Sequence, residues 1–243
     1  MKQTVNDMNN NELLDNLYKG CAAFLDTLVN DENAKYDRIV FIGSHGTGKT
    51  TLANELSKVL GMPVVESVAR ETAKNIKLLE NEGVIETNNI PVATLKNAYQ
   101  KVFCSMAHWD FMRWAKADMP CIMTRCPLDT IAYAMADNNI TYDTTAECLK
   151  VLQDDAEFLQ ALQRSLFIYI PIEFGIENDG VRPTDVAFQK TVDEHMRQLI
   201  YTFDIAPLVV TGTVEERLES VLKFIFEEDI AKIVMDSYRK LRE

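Results

Sequence analysis

The run Gly43-Ser44-His45-Gly46-Thr47-Gly48-Lys49-Thr50 constrains this chain more than any other. It has the spacing G-x-x-x-x-G-K-[ST], and it joins two segments of different character. Ahead of it, Arg38-Ile-Val-Phe-Ile42 is an apolar run of the kind found in strands buried on both faces. Behind it, Leu52, Ala53, Leu56, Val59 and Leu60 share one helical face, which Gly61 and Pro63 close. Strand, glycine-rich loop and helix in that order is the context in which this spacing carries meaning. The glycines let the backbone curl until successive N–H groups point at one anion, and the helix N-terminus adds positive potential. Lys49 then reaches the β- and γ-phosphates of a nucleoside triphosphate, and the Thr50 hydroxyl can ligate Mg²⁺. Residues 43–51, ending at Thr51, are thus expected to hold ATP-Mg²⁺.

The rest of the chain repeats the alternation of short apolar runs and longer helical patterns. Met62–Glu66, Pro120–Thr124, Leu166–Ile170 and Leu208–Thr211 read as further strands. Helical spacing runs through Val92, Leu95, Tyr99, Val102, Phe103, Met106, Trp109 and Met112. Together with Phe111 and Trp114, this aromatic stripe reads as core, part of it available to line a pocket. Thr213-Val-Glu-Glu216 is a capping box that opens a helix with Leu218, Val221, Leu222 and Ile225 inward. The expected fold class is therefore α/β: a five-stranded parallel sheet with helices on both faces. Leu14, Leu17, Tyr18, Cys21, Phe24, Leu25 and Leu28 also follow helical spacing, ahead of a polar stretch from Asn30 to Asp37. Residues 1–35 are thus expected to form a helical extension before a main domain at 36–243.

Composition narrows the partners. With 25 Lys and Arg against 37 Asp and Glu, the net charge of −12 disfavours non-specific binding to nucleic acid or to anionic membrane. No apolar run is long enough to span a bilayer, and no signal-peptide core follows the first lysine. The cysteines at 21, 104, 121, 126 and 148 form no C-x-x-C pair and read as reduced, mostly buried thiols. Three scattered histidines offer no metal-ligand spacing, and His45 is placed in the loop by position only. A cytoplasmic protein is expected.

Two absences sort among loops of this type. No N-K-x-D guanine-reading motif follows, and no run of four apolar residues ends in Asp-Glu as in an ATPase motor. Val151-Leu-Gln-Asp154-Asp155 comes nearest, but its Gln and helical surroundings spoil it. A phosphoryl-transfer kinase remains.

Gly43 to Leu56, Val64-Val-Glu66 with Arg70-Glu71, Arg125-Cys-Pro-Leu-Asp129 and Asp179-Gly-Val-Arg182 occur in an order that resembles one group of proteins. This is the AAA-like P-loop kinase family that includes the nicotinamide-riboside kinase domain, itself similar to deoxynucleoside and thymidylate kinases. The resemblance covers roughly residues 36–226. It implies a kinase-type fold, an ATP-Mg²⁺ donor and a hydroxyl acceptor in a cleft over the strand ends. By the same resemblance, Glu66 at the end of the second strand is the candidate base, the alternative being a surface Glu that caps the next helix. Arg70, one turn later, would hold an acceptor phosphate or pair with Glu66, unless it is a solvated helix arginine. Arg125 corresponds to a phosphate-binding arginine that an acid usually precedes. Here Thr124 stands in the acid's place, which shifts the base or metal role to Glu66 or Asp129; Asp129 also reads as an N-terminal helix charge. As an arginine with no acid beside it in sequence, among Cys and Pro, Arg125 is expected to need an anion. Glu173–Asp185 has the polar, glycine-containing character of a lid, with Arg182 as an internal arginine finger or as part of an ordinary surface loop.

These expectations add up to ATP-dependent phosphorylation of a nucleoside, nucleotide or nucleobase-like hydroxyl, in the cytoplasm of a bacterial or phage-infected cell. One rival is a kinase of 5-hydroxymethyluracil within DNA, where a flipped base would need only a small basic rim. The other is an ATP-binding regulator with weak ATPase activity. A homodimer is left open.

Overall fold

Five parallel strands form one sheet in the order β2-β3-β1-β4-β5. They are β1 (Arg38–Ile42), β2 (Val64–Val65), β3 (Cys121–Met123), β4 (Ser165–Tyr169) and β5 (Leu208–Val209). The computed structural model describes residues 36–83, 90–117, 119–175 and 185–242, without the side chains of Ala69 and Arg70. The helix expected over 1–35, Cys21 and Arg182 lie outside these residues. β1 matches its expected span; the other four are shorter than their apolar runs or begin one residue earlier. Just past the last ladder pairs, the Thr124, Ile170 and Val210 N–H groups still donate to the Val65, Ile42 and Tyr169 carbonyls of neighbouring strands.

Nine helices among the described residues connect and cover the strands. They are α1 (Lys49–Leu60), α2 (Val68–Asn81), α3 (Val92–Ala115), α4 (Pro127–Ala136), α5 (Tyr142–Asp154), α6 (Ala156–Gln163), α7 (Val186–Thr202), α8 (Val214–Ile225) and α9 (Glu228–Arg242). Alternation along β1 divides the core into two. Val40 and Ile42 face a cluster with Phe111 of α3, Leu128 and Ile131 of α4, Phe158 of α6 and Met196 of α7. Ile39 and Phe41 face the opposite cluster, with Leu52 and Leu56 of α1, Leu218 and Val221 of α8, and Val234 and Met235 of α9. Both faces of the sheet are covered, which is why its strands read as unbroken apolar runs.

One expectation about helices needs correction. The apolar stripe of α3 is core only in part: Phe111 is buried and Met112 and Trp114 pack against the core, whereas Val102, Met106 and Trp109 are exposed and the polar Gln100 and Asp110 are buried. Helix α3 packs against α2, α4, α5 and α6, so neighbours on several sides bury polar positions and no single stripe defines its interior. Helix α9 is an addition to the sequence reading; Ala231, Val234, Met235 and Tyr238 bury one face at helical spacing. The capping box holds: the Thr213 hydroxyl accepts from the Glu216 N–H at 3.3 Å, and Glu216 accepts from the Thr213 N–H at 2.7 Å. The four described cysteines are free and buried. No helix among the described residues is long and apolar enough to cross a membrane.

Candidate active site

The glycine-rich loop leaves the central strand β1 and enters α1, beside the carboxyl ends of β3 and β4. Order 2-3-1-4-5 reverses the direction of chain progression at β1, and in open α/β sheets ligands bind in the crevice at such a point. Gly43 is required by its surroundings. Its φ is 131°, and a Cβ there would stand 2.6 Å from the Ile170 carbonyl oxygen at the end of β4. Gly48 is the N-cap of α1 with φ 92°, and no described side chain caps the first turn. The N–H groups of that turn are thereby available to an anion.

Lys49 is buried and turns back along the loop. Its ammonium donates to the Gly43 carbonyl at 2.6 Å and to the Ser44 carbonyl at 2.5 Å. The loop curls around the lysine, and two of its carbonyls hold the charge. Two contacts brace the loop from outside. Gln189 of α7 donates to the His45 carbonyl at 2.6 Å, and Arg217 of α8 donates to the Thr47 carbonyl at 2.7 Å. His45 is buried, with its ring centroid 5.8 Å from that of Tyr133 and 6.1 Å from that of Phe188.

Loop and strand ends open into one cavity of about 480 Å³, lined by Thr50, Glu66, Thr124, Arg125 and Asp129 and walled by Gln100, Phe103, Tyr133 and Phe188. Glu66 sits one residue past β2, exposed at the cavity rim. Arg125, expected to need an anion, has partners within the chain: NH1 lies 3.5 Å from Asp129 Oδ1, and NH2 donates to the Tyr133 hydroxyl at 3.4 Å. Its guanidinium also stacks on the Tyr133 ring, 5.2 Å from the centroid.

Asp129 is both a helix cap and a cavity residue. It accepts the Cys126 N–H at 2.9 Å, closing a capping box at the start of α4. Burial pushes its carboxyl above the ordinary carboxylate range, and the charges of Arg125 and Lys49 pull against that rise. Thr124 donates to the Val65 carbonyl and is no substitute acid. Arg70 lies in the first turn of α2, which places its backbone one turn beyond Glu66.

Several lining residues carried no sequence signal. Tyr133, Phe188 and Gln100 come from three different helices, and only the tertiary fold brings them together. Gln100 is the most informative of them: its Nε2 donates to the Thr130 carbonyl at 3.0 Å, which orients a buried amide at the cavity wall.

The family model for the AAA domain matches residues 38–217. The chain belongs to that family. The matched span runs from β1 to Arg217 in α8 and includes every residue of the cavity. Two solved structures are similar in fold, both of deoxyadenosine kinase from M. mycoides. One, with the products dCMP and dCDP, aligns over 77% of this chain and 98% of its own at a TM-score of 0.55 and 13% identity. The other, with bound dATP, aligns over the same shares at a TM-score of 0.52 and 16% identity. No curated protein sequence matches the chain. The fold is that of the kinase-type P-loop proteins.

The donors suit a magnesium ion that arrives with its nucleotide. Thr50 and the carboxylates of Glu66 and Asp129 are oxygen groups on one cavity, the kind Mg²⁺ takes beside phosphate oxygens and water. No cluster of three or more His, Cys, Asp or Glu that could hold a metal ion is present among the described residues.

Proposed function

We propose that this protein transfers the γ-phosphoryl group of ATP-Mg²⁺ to a hydroxyl of a nucleoside, nucleotide or nucleobase-like small molecule. The observation that carries the reading is one cavity whose lining brings the phosphate loop and Lys49 together with Glu66, Gln100 and three aromatic rings. A volume of about 480 Å³ suits an aglycone-and-sugar acceptor, and the aromatic walls suit a flat ring. The likeness to deoxyadenosine kinase structures holding dATP or deoxycytidine phosphates supports the same class.

In this reading the residues of 43–51 bind the triphosphate, and magnesium, bound through Thr50, supplies charge neutralisation at its oxygens. Glu66 accepts the proton of the attacking hydroxyl. Lys49 and Arg125 stabilise charge as it moves onto the transferred group, a role this reading also gives Arg182, which lies outside the described residues. Asp129 holds Arg125 in place and, with Arg70, borders the acceptor.

Release of ADP in the presence of single acceptors tests this reading. Nucleosides, deoxynucleotides, nicotinamide riboside and a hydroxymethyluracil-containing oligonucleotide form the set. One of them should raise ADP release well above the rate in water alone, and Glu66→Gln should remove that increment while ATP still binds. ADP release that stays at the water rate with every acceptor would contradict it.

A further inference from the structure

The two outer braces of the phosphate loop share a geometry. Arg217 is 3% exposed and Gln189 is 1% exposed, and neither lines the cavity. Each donates to a loop carbonyl without being part of the cavity lining: Arg217 NH1 to Thr47 and Gln189 Nε2 to His45. In a trans peptide the carbonyl and the following N–H point in opposite directions, and no described peptide is cis. Holding the Thr47 carbonyl outward therefore aims the Gly48 N–H inward, and holding the His45 carbonyl outward does the same for the Gly46 N–H. The two braced peptides alternate along the loop, which is the spacing at which curled backbone turns successive donors to one anion.

Each brace is itself secured. The second nitrogen of Arg217, NH2, donates to Glu173 at 2.6 Å, and Glu173 also accepts the Gly212 N–H at 3.0 Å. The guanidinium thus joins the loop, the segment after β4 and the turn before α8. Phe174 covers it, with the ring centroid 5.6 Å away. A Cβ at Gly48 would meet Arg217 NH1 at 3.1 Å, so the close approach of this arginine depends on the glycine. Gln189 is locked in a two-way exchange, because the Ser44 hydroxyl donates to its backbone carbonyl at 2.9 Å.

We propose that Arg217 and Gln189 are positioning residues for the donor nucleotide: they hold the Gly48 and Gly46 peptides in the phosphate-binding orientation without touching the nucleotide. This rests on the reading of 43–51 as the ATP site. Preorganised donors bind more tightly because the peptides need no rearrangement when the anion arrives. The effect belongs to the phosphates alone.

Calorimetric titration with ATP-Mg²⁺ and, separately, with inorganic tripolyphosphate and Mg²⁺ tests it on wild type, Arg217→Met, Arg217→Lys, Gln189→Leu and Lys49→Ala. Thermal unfolding of each variant runs alongside. Arg217→Met should weaken both probes by the same factor of about ten, the equivalent of one charge-assisted hydrogen bond. Gln189→Leu should weaken both by a smaller common factor, and Arg217→Lys, which keeps the charge and a donor, should recover most of the loss. If Arg217→Met does not fold, Gln189→Leu decides by the same criterion. Folded variants with a lowered Tm but wild-type affinity, while Lys49→Ala has lost binding, would reduce both residues to struts and overturn the proposal. Equal affinity in wild type and Lys49→Ala would remove the ATP-site reading itself, and the proposal with it.

Discussion

Thr124 holds Val65 twice: its backbone N–H donates to the Val65 carbonyl at 3.1 Å, and its hydroxyl reaches the same oxygen at 3.3 Å. Val65 precedes Glu66, so the residue that replaces an expected acid fixes the peptide from which the candidate base projects. Thr124→Val should keep the backbone bond and lose only the longer hydroxyl bond. We expect it to cost about 1 kcal/mol of stability and to leave kcat within a few-fold of wild type, as read by urea titration and steady-state kinetics. A loss of activity as deep as that of a base-deleted variant would make Thr124 part of the chemistry.

Removing the base should separate chemistry from binding. Glu66→Gln keeps the shape of the side chain at the rim and abolishes proton acceptance. The expected fall in kcat is about 10²–10⁴-fold, with ATP affinity unchanged. A normal kcat in the Glu66→Gln enzyme would exclude Glu66 as the base.

Gly43 tests the fit of the loop against the sheet. In Gly43→Ala the new Cβ meets backbone, the Ile170 carbonyl oxygen at 2.6 Å, and φ is 131°. Neither can yield cheaply, so about 2–4 kcal/mol of stability should be lost, measured by chemical denaturation. A loss below about 0.5 kcal/mol would show that β1 and β4 are looser at this point than the geometry requires.

Asp129 gives a pH signature. Its carboxyl is raised above the ordinary 3.8 by burial, against the charges of Arg125 and Lys49. The folded state therefore prefers the protonated form, and that preference stabilises the fold fully below the unfolded value and is lost as pH rises through the folded one. Asp129→Asn retains an oxygen for the Cys126 N–H and has no such titration. Its Tm relative to wild type should climb between pH 4 and pH 7; a flat or falling difference would contradict the assignment.

Asp155 behaves in the opposite sense. It accepts the N–H groups of Glu157 and Phe158, each at 3.0 Å, as N-cap of α6. The bond from the Phe158 N–H leads in holding its carboxyl below 3.8, with His108 adding to it. Its contribution is present above the unfolded value and lost as pH falls through the depressed one. Asp155→Ala should cost about 1 kcal/mol at pH 7, and the deficit should shrink as the solution is acidified below pH 4.

Much of the fold is legible in the sequence because its signals are local. An apolar run before a glycine-rich loop and a helical stripe after it need no tertiary information, and β1, the loop and α1 lie where they are read. The capping box at Thr213 is similarly local. Helix α3 is misread in part because amphipathicity assumes one neighbour on one side, and this helix has several. In the site, Lys49 and Glu66 are legible from their place after strands. Arg125 is legible as a cavity residue, but its partners are not: Asp129 and Tyr133 lie one and two turns further along α4. The braces Gln189 and Arg217 stand 144 and 170 residues from the carbonyls they hold, a separation no spacing rule covers.

The most direct test of the central claim is transfer of γ-³²P from ATP to the same set of acceptors, with wild type and Lys49→Ala assayed side by side. A labelled product carrying the γ-phosphate, formed by wild type and absent with Lys49→Ala, is the predicted result. Unlabelled acceptors throughout, from a wild-type protein that still binds ATP, would contradict a small-molecule kinase.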